Sequence, residues 1–335
     1  MRSSPGAPVL KTFLTIFEPF VLMLLGTVLL ATLLPPRGAF VQVFDVATTT
    51  GIVLLFFLHG AKLSRQAIWD GLRNWRLHLS VLAVTFILFP LLGLGLSHLP
   101  FVAAPVAAGL LFLTLLPSTV QSSIAFTSVA RGNVAAAVCS ASFSNLLGIV
   151  LTPALVALLM HMGGANGGGL ASVEKIVMQL LVPFVAGHLL RPLIGGFVAR
   201  HRKMLTIVDR GSILLVVYTA FGAAVVEGLW HRVSGFDLTV ILVLCSVLLA
   251  LVLAATWALG RLFHWPRGDA IVLLFCGSKK SLASGVPMAG VLFAPTQIGI
   301  VLLPLMLFHQ IQLIACAVIA RHYGEQDPPQ LRNPA

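Results

Sequence analysis

Apolar residues are concentrated in runs that alternate with short polar, glycine-containing or proline-containing stretches. A helix of about 20 apolar residues crosses the hydrocarbon core of a bilayer, so these runs predict membrane-spanning segments. The pattern predicts ten: Phe20–Leu34, Val46–Leu58, Leu79–Leu96, Ala103–Val129, Val134–Met160, Ile176–Leu190, Ile213–Val226, Leu238–Leu259, Ala270–Leu292 and Ile298–Ile319.

Two of the predicted segments are interrupted near their middle. The fourth contains Pro117 followed by polar residues up to Ser123, and the ninth contains Gly277, Gly285 and Pro287 around two lysines. Backbone can leave a helix inside a membrane only where protein or a water-filled cavity satisfies its polar groups. Paired interruptions at matching positions of two halves are typical of the binding site of an inverted-repeat transporter.

The predicted fold is therefore an all-α membrane protein whose ten transmembrane helices form two inverted five-helix repeats, in which helices 4 and 9 are broken. Five segments is an odd number, so the second repeat enters the membrane from the opposite side. The predicted divisions are a cytoplasmic N-terminal segment, a first repeat, a glycine-rich linker, a second repeat and a cytoplasmic tail, at residues 1–19, 20–160, 161–172, 173–320 and 321–335.

Composition excludes a soluble domain, because 58% of the residues are hydrophobic, 9% are charged and mean hydropathy is +1.02. The net charge of +11 does not indicate nucleic-acid binding, since the basic residues lie in short loops where they orient the chain and meet lipid headgroups. With the N-terminus inside, only Arg37, Lys175 and Arg232 among the loop bases fall outside. We expect a multi-pass protein of the plasma or inner membrane with both termini cytoplasmic.

Lys279 and Lys280 lie near the middle of the ninth segment. A lysine at the centre of a membrane helix costs roughly 2.5–3.5 kcal/mol, so both should be buried in protein or face a cavity. All acidic residues lie in loops, tails or near segment ends, and none is an obvious partner. The lysines must find backbone carbonyls, hydroxyls or a bound anion, or one of them is deprotonated. The alternative to a functional role is that an ammonium only fixes the helix crossing.

Other polar groups inside the segments could bind a substrate or an ion. Hydroxyl groups in membrane helices often bond their own backbone, and lone polar groups often join helices, so a single such residue does not by itself indicate a binding site. The candidate binding residues are Ser118, Thr119, Gln121, Ser122, Ser123, Asn145, Ser278, Lys279, Lys280, Ser281, His309 and Gln312. We expect no metal, no cofactor and no enzyme activity, because the sequence offers neither a nucleophile–base pair nor a metal-ligand cluster.

Two stretches carry a family resemblance. LLPSTVQSS at residues 115–123, with ARGNVA at 130–135, resembles the first crossover of the bile acid:sodium symporter superfamily. FCGSKKSL at 275–282 and GVPM at 285–288 resemble the branch that contains the seventh member of solute carrier family 10 and bacterial relatives. The resemblance covers roughly residues 19–320 and implies a panel domain and a core domain in which the broken helices cross.

The same resemblance implies that the family's sodium sites are mostly missing. Its sodium-ligand positions fall on residues that do not offer the family's ligand side chains: Ala137, Ala141, Phe275, Lys279 and Thr85. Only Ser122 and Ser123 keep ligand chemistry. Loss of the family's carboxylate together with gain of an ammonium nearby suggests that a fixed cation, Lys279 or Lys280, occupies the space of a sodium ion, and the match of Lys279 to a family glutamine favours Lys279.

The resulting hypothesis is a secondary transporter that moves a small organic anion by alternating access, independently of sodium because Lys279 replaces a sodium ligand. The alternative is a regulatory membrane protein of the same fold that affects cation (calcium) homeostasis. The sequence leaves the substrate and the coupling ion open.

Overall fold

The structure is a computed structural model that describes residues 19–62, 74–160, 177–229 and 233–326. Within these ranges the chain contains helices and connecting turns and no strand. The helices are α1 Pro19–Leu33, α2 Ala39–Lys62, α3 Trp75–Ser97, α4 Ala104–Leu115, α5 Gln121–Val129, α6 Val134–Leu159, α7 Val177–Arg200, α8 Arg202–Val226, α9 Gly235–Leu262, α10 Arg267–Gly277, α11 Leu282–Leu292 and α12 Pro295–Glu325.

Seven of the helices in the described ranges are long and apolar enough to cross a membrane, and the protein is an integral membrane protein. They are α2, α3, α6, α7, α8, α9 and α12. The remaining predicted segments correspond to α1 and to two pairs of shorter helices, α4–α5 and α10–α11, which are separated at the predicted interruptions. The arrangement of ten spans as inverted repeats stays a prediction. The linker at 161–172 lies outside the described residues.

Several helices continue beyond the apolar runs that predicted them. Helix α2 begins seven residues before the predicted Val46, and α12 continues past Ile319 to Glu325. At the end of α12 the Arg321 side chain donates to Glu325 over 2.9 Å, and Arg267 donates to the carbonyl of Tyr323 over 2.6 Å. The helix thus continues through residues that are too polar to be recognised as part of a span.

The chain forms two compact units, each of which draws helices from both halves of the sequence. The first unit contains α1, α2, α7, α8 and residues 289–299. In it, α2 and α7 approach so closely that a Cβ on Gly60 would lie 2.0 Å from the Phe184 oxygen, and one on Gly187 would lie 2.0 Å from the Phe57 oxygen. Only glycine permits such backbone contact.

The second unit contains α3 to α6, α9, α10, residues 282–288 of α11 and residues 300–326. All of the candidate binding residues belong to this unit. The chain leaves the helical conformation between α4 and α5 at residues 116–120, the first break, and between α10 and α11 at residues 278–281, the second break. Both breaks are shorter than predicted: Gln121, Ser122 and Ser123 form the first turn of α5, while Gly285 and Pro287 lie within α11.

Candidate functional site

The two breaks contact each other directly. The backbone N–H of Ser281 donates to the Pro117 carbonyl over 2.9 Å. The Ser118 hydroxyl donates to the Cys276 carbonyl over 2.6 Å, and the Ser123 hydroxyl donates to the Phe275 carbonyl over 3.1 Å. Side chains of the first break and of the first turn of α5 thus satisfy carbonyls that the end of α10 leaves without helical donors.

The last carbonyls of α4 and the first carbonyls of the break that follows it are satisfied in turn by four residues from two other elements, the second break and α6. Each of five successive carbonyls accepts a hydrogen bond, as complete burial requires. The donors are Lys280 Nζ to Thr114, Thr152 Oγ1 to Leu115, Lys280 Nζ to Leu116, Ser281 N to Pro117 and Asn145 Nδ2 to Ser118. The break is therefore an ordered part of the protein interior.

The ammonium group of Lys280 lies at the centre of this arrangement. Its Nζ donates to the carbonyl oxygens of Thr85, Thr114 and Leu116 over 2.8, 2.8 and 2.7 Å. We call these three oxygens the carbonyl cage. The side chain is fully buried, and Nζ also lies 4.1 Å from the centre of the Phe89 ring.

A local irregularity in α3 makes the Thr85 carbonyl available. Residues Val84–Leu88 form a π-helical turn, in which the N–H of Phe89 donates to the carbonyl of Val84. The next residue is Pro90, which has no N–H. The two backbone groups that could donate to the Thr85 carbonyl within the helix are therefore not available, because the Phe89 N–H donates to Val84 and Pro90 has no N–H. Lys280 supplies the donor in their place.

The cage geometry indicates that Lys280 is charged. An ammonium has three N–H donors, which matches three carbonyl acceptors at normal hydrogen-bond distance. A neutral amine has two donors, and its lone pair would face the third carbonyl. Two of the oxygens lie at the C-terminal end of α4, where the helix dipole favours a cation. The charge is therefore balanced by backbone dipoles, without a carboxylate among the hydrogen-bond partners that the structure describes.

Gln312 holds the backbone of the second break. Its Oε1 accepts from the N–H of Lys280 over 2.9 Å, and its Nε2 donates to the carbonyl of Lys280 over 3.0 Å. The same Nε2 lies 2.8 Å from Nδ1 of His309. Since the Lys280 N–H fixes which end of the amide is oxygen, His309 Nδ1 must accept, and the ring is neutral with its proton on Nε2.

Lys279 differs sharply from its neighbour, although it is also fully buried. Its Nζ has no hydrogen-bond partner among the described residues and lies 4.2 Å from the Phe126 ring centre and 5.5 Å from that of Phe275. A cation–π contact contributes about 0.5–2 kcal/mol, whereas burying an ammonium costs several kcal/mol. The assignment of the sodium-like position to Lys279 is therefore not what the geometry supports, because the oxygens surround Lys280.

The remaining candidates lie around the breaks in different roles. Thr119 Oγ1 lies 2.6 Å from the Ser122 hydroxyl and 3.2 Å from that of Ser123, while Gln121 is exposed at the start of α5. Ser281 caps α11 by accepting from the N–H of Ser284 over 3.1 Å. The hydroxyls of Thr119, Ser122 and Ser123 form one polar cluster, and the part of these candidates in binding stays a prediction.

Two other candidates have neighbours that explain them structurally. Asn145 donates to the carbonyls of Ser118 and Ala141 and accepts from the Ser284 hydroxyl over 2.8 Å. Ser278 donates to the Leu274 carbonyl one turn earlier in α10 over 2.5 Å. Ser278 thus shows the local backbone bonding that is common for hydroxyls in membrane helices.

Sequence reasoning missed several members of the network. Thr85 was noted only as a position without a family side chain, yet its backbone oxygen completes the cage. Ser144 accepts from the N–H of Ser118 over 2.9 Å, and Ser284 joins Asn145 to α11. A buried pair also joins α3 to α6, where His78 Nδ1 lies 2.7 Å from the Ser140 hydroxyl. The polar spacing of Ser140, Ser144 and Thr152 along α6 was the available signal.

Comparison with known proteins finds a family model and relatives that each cover most of the chain. Residues 18–325 match the SBF-like CPA transporter family. The chain is 58% identical over 311 residues to "Uncharacterized protein PA2026" of Pseudomonas aeruginosa, covering 92% of this chain and 93% of that protein. It is 55% identical over 313 residues to "Putative symporter YfeH" of Escherichia coli, covering 93% and 94%. "Sodium/bile acid cotransporter 7" of Rattus norvegicus is 27% identical over 275 residues, 80% of each chain.

Proposed function

We propose, from the premise that the chain belongs to the SBF-like CPA transporter family, that this membrane transporter carries a small organic anion by alternating access. The observation that carries the proposal is the contact between two broken helices around buried lysines. The partial positive charge at the N-terminal end of a half-helix and the charge of a buried cation both attract an anionic substrate. The name of the rat relative mentions bile acids and sodium, which makes a bile acid the first anion to test.

The second part of the proposal is that transport does not require sodium. Carbonyl oxygens are ligands that alkali cations use in membrane proteins, and in this chain the cage oxygens are already bound to Lys280 Nζ. Thr85, which falls on one of the family's sodium-ligand positions, contributes an oxygen to that cage. The ammonium of Lys280, rather than Lys279, thus takes the place of a dissociable cation.

The third part concerns orientation. The excess of basic residues in the predicted inner loops supports cytoplasmic termini and insertion in the plasma or inner membrane, in contact with lipid headgroups. Reporter fusions after Lys203 should read cytoplasmic, and fusions after His98 should read external. An external reading at Lys203 would contradict the inverted five-plus-five arrangement.

A binding and flux experiment tests the function. Purified protein is heated with taurocholate and with a panel of small carboxylates and sulfonates, in sodium, potassium or choline buffer, because a ligand of the folded state raises apparent stability. Anions that stabilise the protein are then tested for flux in proteoliposomes. We expect a stabilising anion whose effect and flux are equal in the three cations.

Two results would count against the proposal. Stabilisation by sodium alone, absent with potassium, would mean that the chain still builds a sodium site. Neither binding nor flux across the panel, combined with altered calcium handling in cells that lack the protein, would favour the regulatory alternative.

A further inference from the structure

We propose that Lys279 carries a proton together with the anion, so that the transporter is an electroneutral anion–proton symporter. This inference rests on the proposed function and assigns its coupling ion. It follows from the contrast between two adjacent lysines that are equally buried and differently partnered.

The first step is that the two side chains meet opposite environments. Lys280 Nζ uses all three donors on the carbonyl cage. Lys279 Nζ has no acceptor among the described residues and contacts the rings of Phe126 and Phe275. A permanently charged group needs partners when it is buried, and Lys280 has them. Lys279 has only the two aromatic rings, whose attraction for a cation is smaller than the cost of burying an ammonium.

The second step is that the groups facing Lys279 supply no negative charge. Helix α10 contributes Cys276, and α12 contributes Cys316 and His309. Thiols are neutral at pH 7, and the hydrogen bond from Gln312 keeps His309 neutral. The adjacent Lys280 is cationic and opposes a second charge. Among the described residues, no carboxylate acts on Lys279.

The third step follows from charge balance. Without an anion, the buried amine of Lys279 is neutral and the site carries no unpaired charge. When the site opens and an anion enters, the anion supplies the missing partner, and the amine takes a proton from the solvent on that side. Proton and anion therefore favour each other's binding by the same factor. On the other side the anion leaves, the amine returns its proton to the solvent, and no net charge has crossed.

The stoichiometry predicts a measurable accumulation. For one proton per monovalent anion, a difference of one pH unit across the membrane, acidic outside, drives the internal anion concentration to about ten times the external one. A membrane potential set with potassium and valinomycin should not change this ratio, and a sodium gradient should not drive it.

Taurocholate is a suitable probe because its sulfonate stays ionised across the pH range, so passive entry of a protonated acid cannot imitate the result. Uptake is measured in proteoliposomes of the full chain, with protein-free vesicles as background. The Lys279→Gln variant keeps a polar side chain without a titratable proton, and its uptake should lose the response to pH. The Lys62→Gln variant, which removes a lysine from the ion pair with Asp209 in the first unit, is the matched control and should keep the response.

A substrate-free measurement guards against a variant that fails to fold or a probe that fails to bind. The chain has six lysines, so isotopic labelling of the side-chain ε carbons gives few NMR signals. The variants Lys279→Met and Lys62→Gln each remove one lysine, and the signal that disappears is thereby assigned. Without an anion at pH 7, the Lys279 signal should have the chemical shift of a neutral amine, while that of Lys280 should be an ammonium. An ammonium shift for Lys279 would overturn the proposal. Taurocholate flux that ignores the pH gradient would also overturn it, while leaving the proposed function intact.

Discussion

Replacing each buried lysine by methionine separates their roles. Methionine is close in length and apolar, so Lys280→Met removes three hydrogen bonds from the carbonyl cage and leaves three buried acceptors without their donor. A hydrogen bond to a charged group contributes about 1.5–3 kcal/mol, and three would sum to about 5–9 kcal/mol. The desolvation of the ammonium is recovered in the variant, so we expect a net loss of about 3–5 kcal/mol.

The matched control is Lys279→Met, the same substitution one residue earlier at an equally buried position. Here the methionine replaces a nitrogen without a hydrogen-bond partner among the described residues, beside Phe126 and Phe275. Removing a buried, unpaired polar group recovers about 1–3 kcal/mol. We therefore expect Lys279→Met to be as stable as the parent or more stable, and to lose transport.

Thermal unfolding of the purified variants measures the difference. A loss of about 3–5 kcal/mol should lower the unfolding midpoint of Lys280→Met by about 4–7 °C, while the midpoint of Lys279→Met should not fall. In Lys280→Ala the emptied cage should admit a small cation, so methylammonium should restore part of the midpoint in that variant and not in Lys279→Ala. Equal loss of stability in the two methionine variants would refute the assignment of the cage to Lys280.

Two further predictions concern packing and the clamp on the second break. Gln312→Leu removes both hydrogen bonds to the Lys280 backbone and should cost about 1–3 kcal/mol. Gln312→Glu keeps one acceptor but brings a second carboxylate oxygen against the Lys280 carbonyl and His309 Nδ1, which are both acceptors, so thermal unfolding should show a cost at least as large. Gly187→Leu should abolish folding, because its Cβ would lie 2.0 Å from the Phe57 oxygen. Gly195→Leu, whose Cβ would have its nearest neighbour at 3.6 Å, should be recovered at normal yield after detergent extraction.

The positions of the breaks could be predicted because their signals are local. Pro117 and Gly277 lie inside apolar runs, and each is within two residues of the start of an observed break. The ends of α2 and α12 could not be predicted in the same way, because an apolar run ends at the first charged residues while the helix continues. Hydropathy detects the part of a helix in hydrocarbon, and hydrogen bonding decides where the helix ends.

The choice between the two lysines could not be made from sequence. Neighbouring residues in a break have no helical or strand periodicity, so their side-chain directions depend on the elements packed around them. The decisive group was a backbone oxygen of Thr85, released by a π-turn before Pro90. An alignment of side-chain ligands cannot show a carbonyl ligand, and that is why the family comparison favoured Lys279.

A covalently attached cation changes what can drive transport. A sodium ion does work because it binds on one side and leaves on the other, so its gradient contributes to each cycle. The ammonium of Lys280 is present in every state, and a species that does not dissociate transfers no free energy from a gradient. If the protein accumulates its anion, the energy must come from another species that binds and leaves. Lys279, which is buried beside the cage without a hydrogen-bond partner among the described residues, is the group of the second unit that we expect to bind and release it.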